Sequence, residues 1–387
     1  MTSVKLFSNK TRDYTGPAEN TESRYKYLNR SARPYFEDIR NTIQSWFDEF
    51  LIDDKENFKS KFQGAEFESR FFELYLYKLL TNLGYKVTPE PKLIDGSDKN
   101  PDFLVENDDG EKFILEATVR TEGAPEHREN SKIKDMVLDT LNSLALKGFL
   151  FGVRFNGWSK LSHRSQELKK AITDFKGNVV NELASISHDE IVEKSTKSQP
   201  FVSFVEAEIS GLEVFIDLLP KPSADEVAET PVGCVMGGVH WSNTDGELIK
   251  SLKQKSTKYK EIGLPYVVAI NYVGFPIDDE DMFSTAFGRP QLTFPTMEEG
   301  RTLNGAFLHN GKPQNTTVSA ILFGNNILPS TRTESNLFLM HNPYARNPYA
   351  GNLEKLTTFK NSETEVNKIE GLHQNGIMLL KGIDEFE

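Results

Sequence analysis

The stretch RFFELYLYKLLTNLGYKV at residues 70–87 decides the first part of the fold, and KFILEATV at residues 112–119 decides the second. In the first stretch, apolar residues recur every three or four positions, which is the spacing of an amphipathic helix. Helices typically end at a glycine, and Gly84 stands in that place. The sequence therefore predicts a helix over residues 65–83. The strands that it predicts next cover residues 85–88, 101–106 and 112–119.

Residues 112–119 carry an acidic side chain inside an apolar run. Side chains alternate between the two faces of a strand. One face would hold Phe113, Leu115, Ala117 and Val119. The other would hold Lys112, Ile114, Glu116 and Thr118. Burial of the Glu116 carboxylate is costly unless it binds a positive group, so Glu116 is a candidate site residue.

A second acid, Asp102, lies at the start of the preceding predicted strand. Two carboxylates on paired strands can share a hard divalent cation such as Mg²⁺, which prefers oxygen ligands. Such a cation activates water and stabilises the charge that develops in phosphoryl transfer. We therefore predict that Asp102 and Glu116 bind Mg²⁺ or Mn²⁺. The alternative is that Asp102 only caps the turn after Pro101.

A glutamate within a helix, a Pro-Asp pair and an acid-X-polar strand together resemble the PD-(D/E)XK nuclease superfamily. In this chain they are Glu73, Pro101-Asp102 and Glu116-Ala117-Thr118. The resemblance implies the αβββαβ core of restriction-endonuclease-like proteins and a Mg²⁺-dependent endonuclease, with DNA as the favoured substrate. It implies that Glu73 is a further metal ligand or positions the attacking water. The biological setting it suggests is restriction or antiphage defence.

The chain departs from the superfamily at Thr118, where a lysine is usual. Residues 246–262 offer a replacement, because they are predicted to form a helix with an apolar stripe. Lys255 stands at the one position of the stripe that is not apolar, and a lysine there needs a reason. We expect Lys255 to hold the attacking water or the phosphate. The alternative is a lysine that extends to solvent from the edge of the stripe.

Lys255 and Tyr259 form K-x-x-x-Y, which resembles the Q-x-x-x-Y motif in the same helix of the RecB-like branch of the superfamily. The resemblance implies that Tyr259 contacts the substrate. Arg120 follows Thr118 on the same strand face and is predicted to meet a phosphate, with a surface salt bridge as the alternative. Lys253 and Lys258 lie off the stripe, so neither is expected to act in catalysis.

Two segments compete to complete the core after residue 119. One is a helix over residues 131–146 with a strand over 148–155; the other is the helix over 246–262 with a strand over 265–272. We favour the second, because it carries Lys255. The predicted divisions are then an N-terminal helical cap (1–64), the first half of the core (65–119), an insertion of helices and strands (120–240), a closing helix and strand (241–275) and a mixed C-terminal region (276–387).

Composition limits the class of protein. The 27 Phe and 12 Tyr supply a core, and no apolar run approaches the roughly 18 residues of a membrane helix. With no apolar signal core at the N-terminus, we predict a cytoplasmic protein without a membrane partner. The net charge of −12 disfavours nucleic acid. Residues 250–260, however, carry five Lys and no acid, which is typical either of a basic cleft or of a solvated helix face.

Two further hypotheses remain open. In the first, the chain is a nuclease-like fold that has lost catalysis and serves as a binding or scaffold subunit of a larger complex, as Thr118 and the acidic net charge would allow. In the second, residues 273–387 bind a small ligand or nucleotide and gate the nuclease. A protein partner or a homo-oligomer is compatible with each of them.

Overall fold

The computed structural model describes residues 4–92, 100–121, 125–236, 244–259, 263–274, 278–329, 337–361 and 366–371. The chain forms two compact units. Unit 1 consists of Met1–Thr15, Arg24–Glu122 and Asn243–Glu387. Unit 2 consists of Gly16–Ser23 and Gly123–Ser242, and so contains most of the residues that were predicted as an insertion.

Helices occur in both units. Their bounds are α1 Arg24–Arg30, α2 Pro34–Glu49, α3 Lys55–Phe62, α4 Phe67–Asn82, α5 Pro125–Asn142, α6 Gln166–Leu183, α7 His188–Lys194, α8 Thr244–Ser256 and α9 Asp279–Phe287, with a 3₁₀-helix at Asn352–Lys355. None of these helices is both long enough and apolar enough to cross a bilayer.

Within the described ranges, the strands form one large sheet, one smaller sheet and two hairpins. Their bounds are β1 Lys86–Pro89, β2 Phe103–Glu106, β3 Lys112–Thr121, β4 Phe149–Gly157, β5 Val202–Ile209, β6 Leu212–Pro220, β7 Val232–Met236, β8 Tyr266–Val273, β9 Pro290–Thr293, β10 Glu298–Arg301, β11 Leu308–His309, β12 Lys312–Pro313, β13 Ala320–Asn325, β14 Leu337–His341, β15 Thr357–Asn361 and β16 Val366–Ile369.

Unit 1 is built on a mixed sheet in the order β1-β2-β3-β8-β13-β14-β15-β16. β1, β2 and β3 form an antiparallel set, whereas β3, β8 and β13 run parallel to one another. β14 is antiparallel to β13 and parallel to β15, and β16 closes the edge antiparallel to β15. The protein is therefore mixed α/β. Four of its eight strands come from the C-terminal region, which the sequence predicted only as a mixed region.

Of the two segments that compete to extend the sheet beyond β3, the second supplies the neighbouring strand. β8 pairs with β3 in parallel over eight residue pairs from Ile114–Tyr266 to Thr121–Val273. The strand of the first segment, β4, instead pairs with β6 and β7 in the sheet of unit 2. The tertiary pairing thus agrees with the preference for the segment that carries Lys255.

The helix of this second segment is shorter than predicted. α8 ends at Ser256, and residues 257–258 form a turn, whereas the prediction extended the helix to residue 262. The carbonyl oxygen of Ser256 accepts a hydrogen bond from the Thr317 hydroxyl at 2.7 Å, and the Lys258 amide closes back on the Lys255 carbonyl at 2.9 Å. Residues 260–262 lie outside the described residues.

The first core helix ends as its sequence predicts. α4 covers Phe67–Asn82, and Gly84 follows it with a φ of 89°, a conformation that costs glycine little. The Tyr85 amide reaches the Leu80 carbonyl and the Gly84 amide reaches the Thr81 carbonyl, both at 3.0 Å, which is the Schellman arrangement. The chain thereby turns directly from α4 into β1.

The predicted alternation of faces along β3 is confirmed. Phe113, Leu115 and Ala117 belong to an apolar core that includes residues of α2, α3 and α4. Ile114, on the opposite face, belongs to a second core with Leu248 and Leu252 of α8. The sheet is therefore covered on both faces, and Glu116 faces the side that α8 covers.

Unit 2 has its own sheet, in the order β5-β6-β4-β7, and its own apolar core. α5, α6 and α7 contribute to that core through Val137, Leu168 and Ile191 respectively. Ser210 and Gly211, both with positive φ, form the tight turn that joins β5 to β6. The helix predicted over residues 131–146 begins earlier, as α5, and the strand predicted over 148–155 is β4, whereas α7 and β7 were not predicted.

Candidate active site

Glu116 is a buried acid with cationic and hydroxyl partners on both carboxylate oxygens. It lies in the middle of β3, and only 1% of the residue is exposed. Its Oε1 accepts hydrogen bonds from the Lys255 ammonium at 2.8 Å and from the Lys258 ammonium. Its Oε2 lies 3.0 Å from the Tyr259 hydroxyl. A buried Glu116 was expected to need one positive partner, and two lysines fill this place.

Asp102 lies at the same level of the sheet as Glu116. Phe103 pairs with Leu115 in the antiparallel β2–β3 ladder. One position further along the ladder, Asp102 therefore lies opposite Glu116. The Asp102 Oδ2 accepts the Ala117 amide at 2.6 Å, which fixes the side chain against β3. Burial raises the pKa of the Asp102 carboxyl to about 6, and the charge of Glu116 adds to the rise.

Glu73 belongs to the same group of carboxylates. Burial raises the pKa of the Glu73 carboxyl to about 8, the charge of Asp102 raises it further, and Arg70 acts in the opposite direction. Arg70, one helical turn before Glu73, places Nη1 2.7 Å from Glu73 Oε2 and its other nitrogens on Glu66. The charge of Asp102 acts on Glu73 and the charge of Glu116 acts on Asp102, so the structure brings the three predicted carboxylates into one electrostatic group.

Lys255 lies where the stripe of the predicted helix places it. It is the penultimate residue of α8, its side chain is 22% exposed, and it forms an ion pair with Glu116. Its ammonium also lies 3.4 Å from the Ala117 carbonyl oxygen. The sequence therefore identified the lysine that reaches the carboxylate group.

The expectation that Lys258 lies away from the site is wrong. Its ammonium shares the Glu116 Oε1 with Lys255 and also lies 5.0 Å from the centre of the Tyr259 ring. The helical stripe placed Lys258 off this face only because the helix was extended to residue 262. The turn after Ser256 changes the direction of the chain, so a helical position no longer applies to Lys258.

Tyr259 and Arg120 are both in the neighbourhood of Glu116, each with protein partners. The single proton of the Tyr259 hydroxyl is shared between Glu116 Oε2 and the Asn100 carbonyl oxygen at 2.8 Å, and its ring packs edge-on against Tyr266. The Arg120 Nε donates to the hydroxyl of Ser251, a buried residue of α8. Their contacts with a substrate stay predictions.

The donor set fits a hard divalent cation in type, because Asp102 and Glu116 present carboxylate oxygens and repel one another. In the described part of the chain, no group of three or more His, Cys, Asp or Glu side chains is arranged as a ready-made metal cluster. Both Glu116 oxygens are occupied by Lys255, Lys258 and Tyr259. A cation at Asp102 and Glu116 would therefore have to exchange with these partners.

Sequence reasoning missed two residues of this group, Arg70 and Lys258. Arg70 had a signal, because a base three residues before an acid on a helix commonly pairs with it. Lys258 had none, since its position depends on where α8 ends. No family model, curated protein or solved structure matches this chain, so a functional conclusion rests on the geometry of the site.

Proposed function

We propose that this protein is a divalent-cation-dependent endonuclease that hydrolyses phosphodiester bonds, with DNA as its substrate. The observation that carries the proposal is the environment of Glu116. A fully buried strand carboxylate faces a second carboxylate, Asp102, and is held by two lysines and a tyrosine. Structural ion pairs seldom require this concentration of opposite charges, whereas phosphoryl transfer does.

The order of the elements supports the finer fold assignment within the mixed α/β class. α4, β1, β2, β3, α8 and β8 follow the αβββαβ order of the PD-(D/E)XK superfamily, with unit 2 inserted between β3 and α8. The carboxylates lie on α4, at the start of β2 and on β3, and the lysine lies on α8. These are the positions that the resemblance implies for nuclease residues.

Each side chain has a separate part in the proposed reaction. Asp102 and Glu116 would hold Mg²⁺ or Mn²⁺, and the bound cation lowers the pKa of water and neutralises phosphate charge. Glu73, whose pKa of about 8 is near neutral pH, would accept the proton of the attacking water at Oε1, because Oε2 is engaged by Arg70. Lys255 would stabilise the charge that develops on the phosphate. Thr118 cannot do this, because it carries no positive charge.

The choice of DNA and the setting in restriction or antiphage defence come from the resemblance. The local charge near α8 is compatible with a phosphate backbone, despite the net charge of −12, because residues 250–260 carry five Lys and no acid.

The test is incubation of the purified chain with plasmid DNA, linear DNA and RNA in Mg²⁺, Mn²⁺ or EDTA. Asp102→Ala serves as the inactive variant. Asp217→Asn serves as its matched control, because Asp217 is also a buried strand acid but lies in unit 2. Cleavage by wild type and Asp217→Asn in Mg²⁺ or Mn²⁺, and by neither in EDTA, would support the proposal. Equal cleavage by Asp102→Ala would contradict it.

A second candidate function is a nuclease-like binding or scaffold subunit without catalysis. Thr118 favours this function, because it stands where active nucleases usually have a lysine. So do Lys255, Lys258 and Tyr259, because they already contact both carboxylate oxygens of Glu116. Calorimetric titration with Mn²⁺ separates the two functions. A catalytic site binds the cation in the micromolar-to-millimolar range and loses this binding in Asp102→Ala, whereas a scaffold subunit gives no binding.

A further inference from the structure

We propose that Lys258 is a second phosphate-binding cation of this site, and that Glu116 stores Lys258 and Lys255 as internal counter-ions until a divalent cation displaces them. This inference rests on the proposed nuclease function and adds to it a linkage between cation binding and phosphate binding. It assigns a role to a lysine that the helical pattern had excluded.

The argument starts from the sharing of one oxygen atom. Both ammonium groups contact Oε1 of Glu116, although two like charges on one acceptor repel each other. The charges of both lysines also act on the neighbouring Asp102 carboxyl, so two ammonium groups face two carboxylates. A divalent cation that takes Asp102 and Glu116 would therefore replace the charge of both lysines.

Both lysines also keep access to solvent. The side chains of Lys255 and Lys258 are 22% and 27% exposed, whereas the Glu116 side chain is 2% exposed. The carboxylate is thus buried, whereas both lysine side chains extend from it to the surface. Lys258 also has a second favourable contact, because its ammonium lies over the Tyr259 ring.

Displacement has a consequence for anion binding. A cation that takes Glu116 leaves two ammonium groups without their carboxylate, and a phosphate then becomes their best available partner. In the opposite direction, a phosphate that attracts the lysines leaves Glu116 open to the cation. Because binding linkage is reciprocal, each ligand must raise the affinity for the other by the same factor, typically about 5- to 150-fold in coupled sites.

The experiment measures this factor without relying on cleavage. A fluorescent DNA duplex is titrated with protein in EDTA and in Ca²⁺, and anisotropy gives the ratio of the two dissociation constants. Mn²⁺ binding to the protein alone is measured by calorimetry. The proteins are wild type, Lys258→Gln and Lys253→Gln, the last of which removes the same charge from an exposed position on α8.

We expect wild type and Lys253→Gln to bind the duplex at least about fivefold more tightly in Ca²⁺ than in EDTA. Lys258→Gln should bind Mn²⁺ more tightly than wild type, because one competitor for Glu116 is gone, and should lose most of the coupling. Equal coupling in Lys258→Gln and wild type would overturn the inference. So would a lower melting temperature in Lys258→Gln with unchanged coupling, which indicates a merely structural ion pair.

Failure of the nuclease proposal gives a different result. A wild-type protein that binds neither Mn²⁺ nor the duplex contradicts the proposed function and this inference together. A wild-type protein that binds both ligands and cleaves DNA, with equal coupling in all three proteins, contradicts only the inference.

Discussion

Glu116 in unit 1 and Asp217 in unit 2 are both buried acids on interior strands, yet their surroundings differ. Asp217 of β6 is 6% exposed and forms an ion pair with Arg154, whose Nη2 lies 3.4 Å from Oδ2 and whose side chain is 48% exposed. Glu116 of β3 is 1% exposed and contacts two lysines and a tyrosine hydroxyl.

The comparison shows that burial of an acid does not by itself identify a site. One partly exposed arginine is enough to hold Asp217 in the sheet of unit 2. Around Glu116, in contrast, burial and the charge of Glu116 raise the pKa of the Asp102 carboxyl, and burial and the charge of Asp102 raise the pKa of the Glu73 carboxyl. Clustered like charges are unfavourable for folding, and this supports the catalytic role that we propose for the group.

The largest expected effect is on catalysis, and it separates Asp102, the carboxylate beside Glu116, from Asp217. Asp102→Ala should lose detectable cleavage, because the proposed cation loses one of its two carboxylate ligands. Asp217→Asn should retain wild-type cleavage. The measurement is the initial rate of plasmid nicking in Mg²⁺, with circular dichroism to show that both variants are folded. Loss of cleavage in Asp217→Asn alone would reverse the roles given to the two acids.

The next effect concerns the cations around Glu116. Lys255→Ala should slow cleavage roughly a hundredfold or more, since a positioned charge at the reacting phosphate is lost. Lys258→Ala should lower the rate by a smaller factor, and Lys253→Ala, from an exposed position, should leave it unchanged. Single-turnover cleavage of one duplex by the three variants checks this order. Identical rates in all three would show that the lysines near Glu116 are no more catalytic than any surface lysine.

A smaller effect is expected on the stability of variants at Glu116 and Asp217. Glu116→Gln should cost about 1–3 kcal/mol of unfolding free energy, because charged hydrogen bonds to two lysines are lost. Asp217→Asn should cost about 0–1 kcal/mol, since its arginine partner is half in solvent. Chemical denaturation in EDTA measures both. A larger loss for Asp217→Asn would mean that the Arg154 pair is the stronger structural contact.

The smallest effect is a pH dependence of stability without metal. The pKa of Glu73 is about 8 in the folded chain, above the ordinary value of 4.5, so the folded chain keeps a proton that the unfolded chain has released between these values. Wild-type stability should therefore fall as pH rises from about 4.5 to about 8 and then level off. Glu73→Gln should show a weaker fall over this window.

Melting temperatures of wild type and Glu73→Gln at pH 5, 6.5, 8 and 9 in EDTA check this dependence. A Glu73→Gln variant with an unchanged slope would mean that Glu73 titrates normally and lies outside the carboxylate group.

The sequence by itself determined the elements around β3 and the residues that interrupt their apolar faces. The periodic apolar residues of α4, the alternation along β3 and the stop at Gly84 are local patterns, and local sterics and burial act on them directly. The same patterns made Glu116 and Lys255 exceptional, because each interrupts an apolar face.

Only the tertiary structure decided how far α8 extends, that Lys258 joins Lys255 at Glu116, that Arg70 holds Glu73, and that the C-terminal strands complete the large sheet. Each of these depends on a partner far away in the chain. Thr317 donates a hydrogen bond to Ser256, the last residue of α8, and β13 pairs with β8. A periodic pattern records which face of an element is apolar. It carries no information about the distant group that ends a helix or pairs with a strand, because that choice is made by the free energy of the whole packed arrangement.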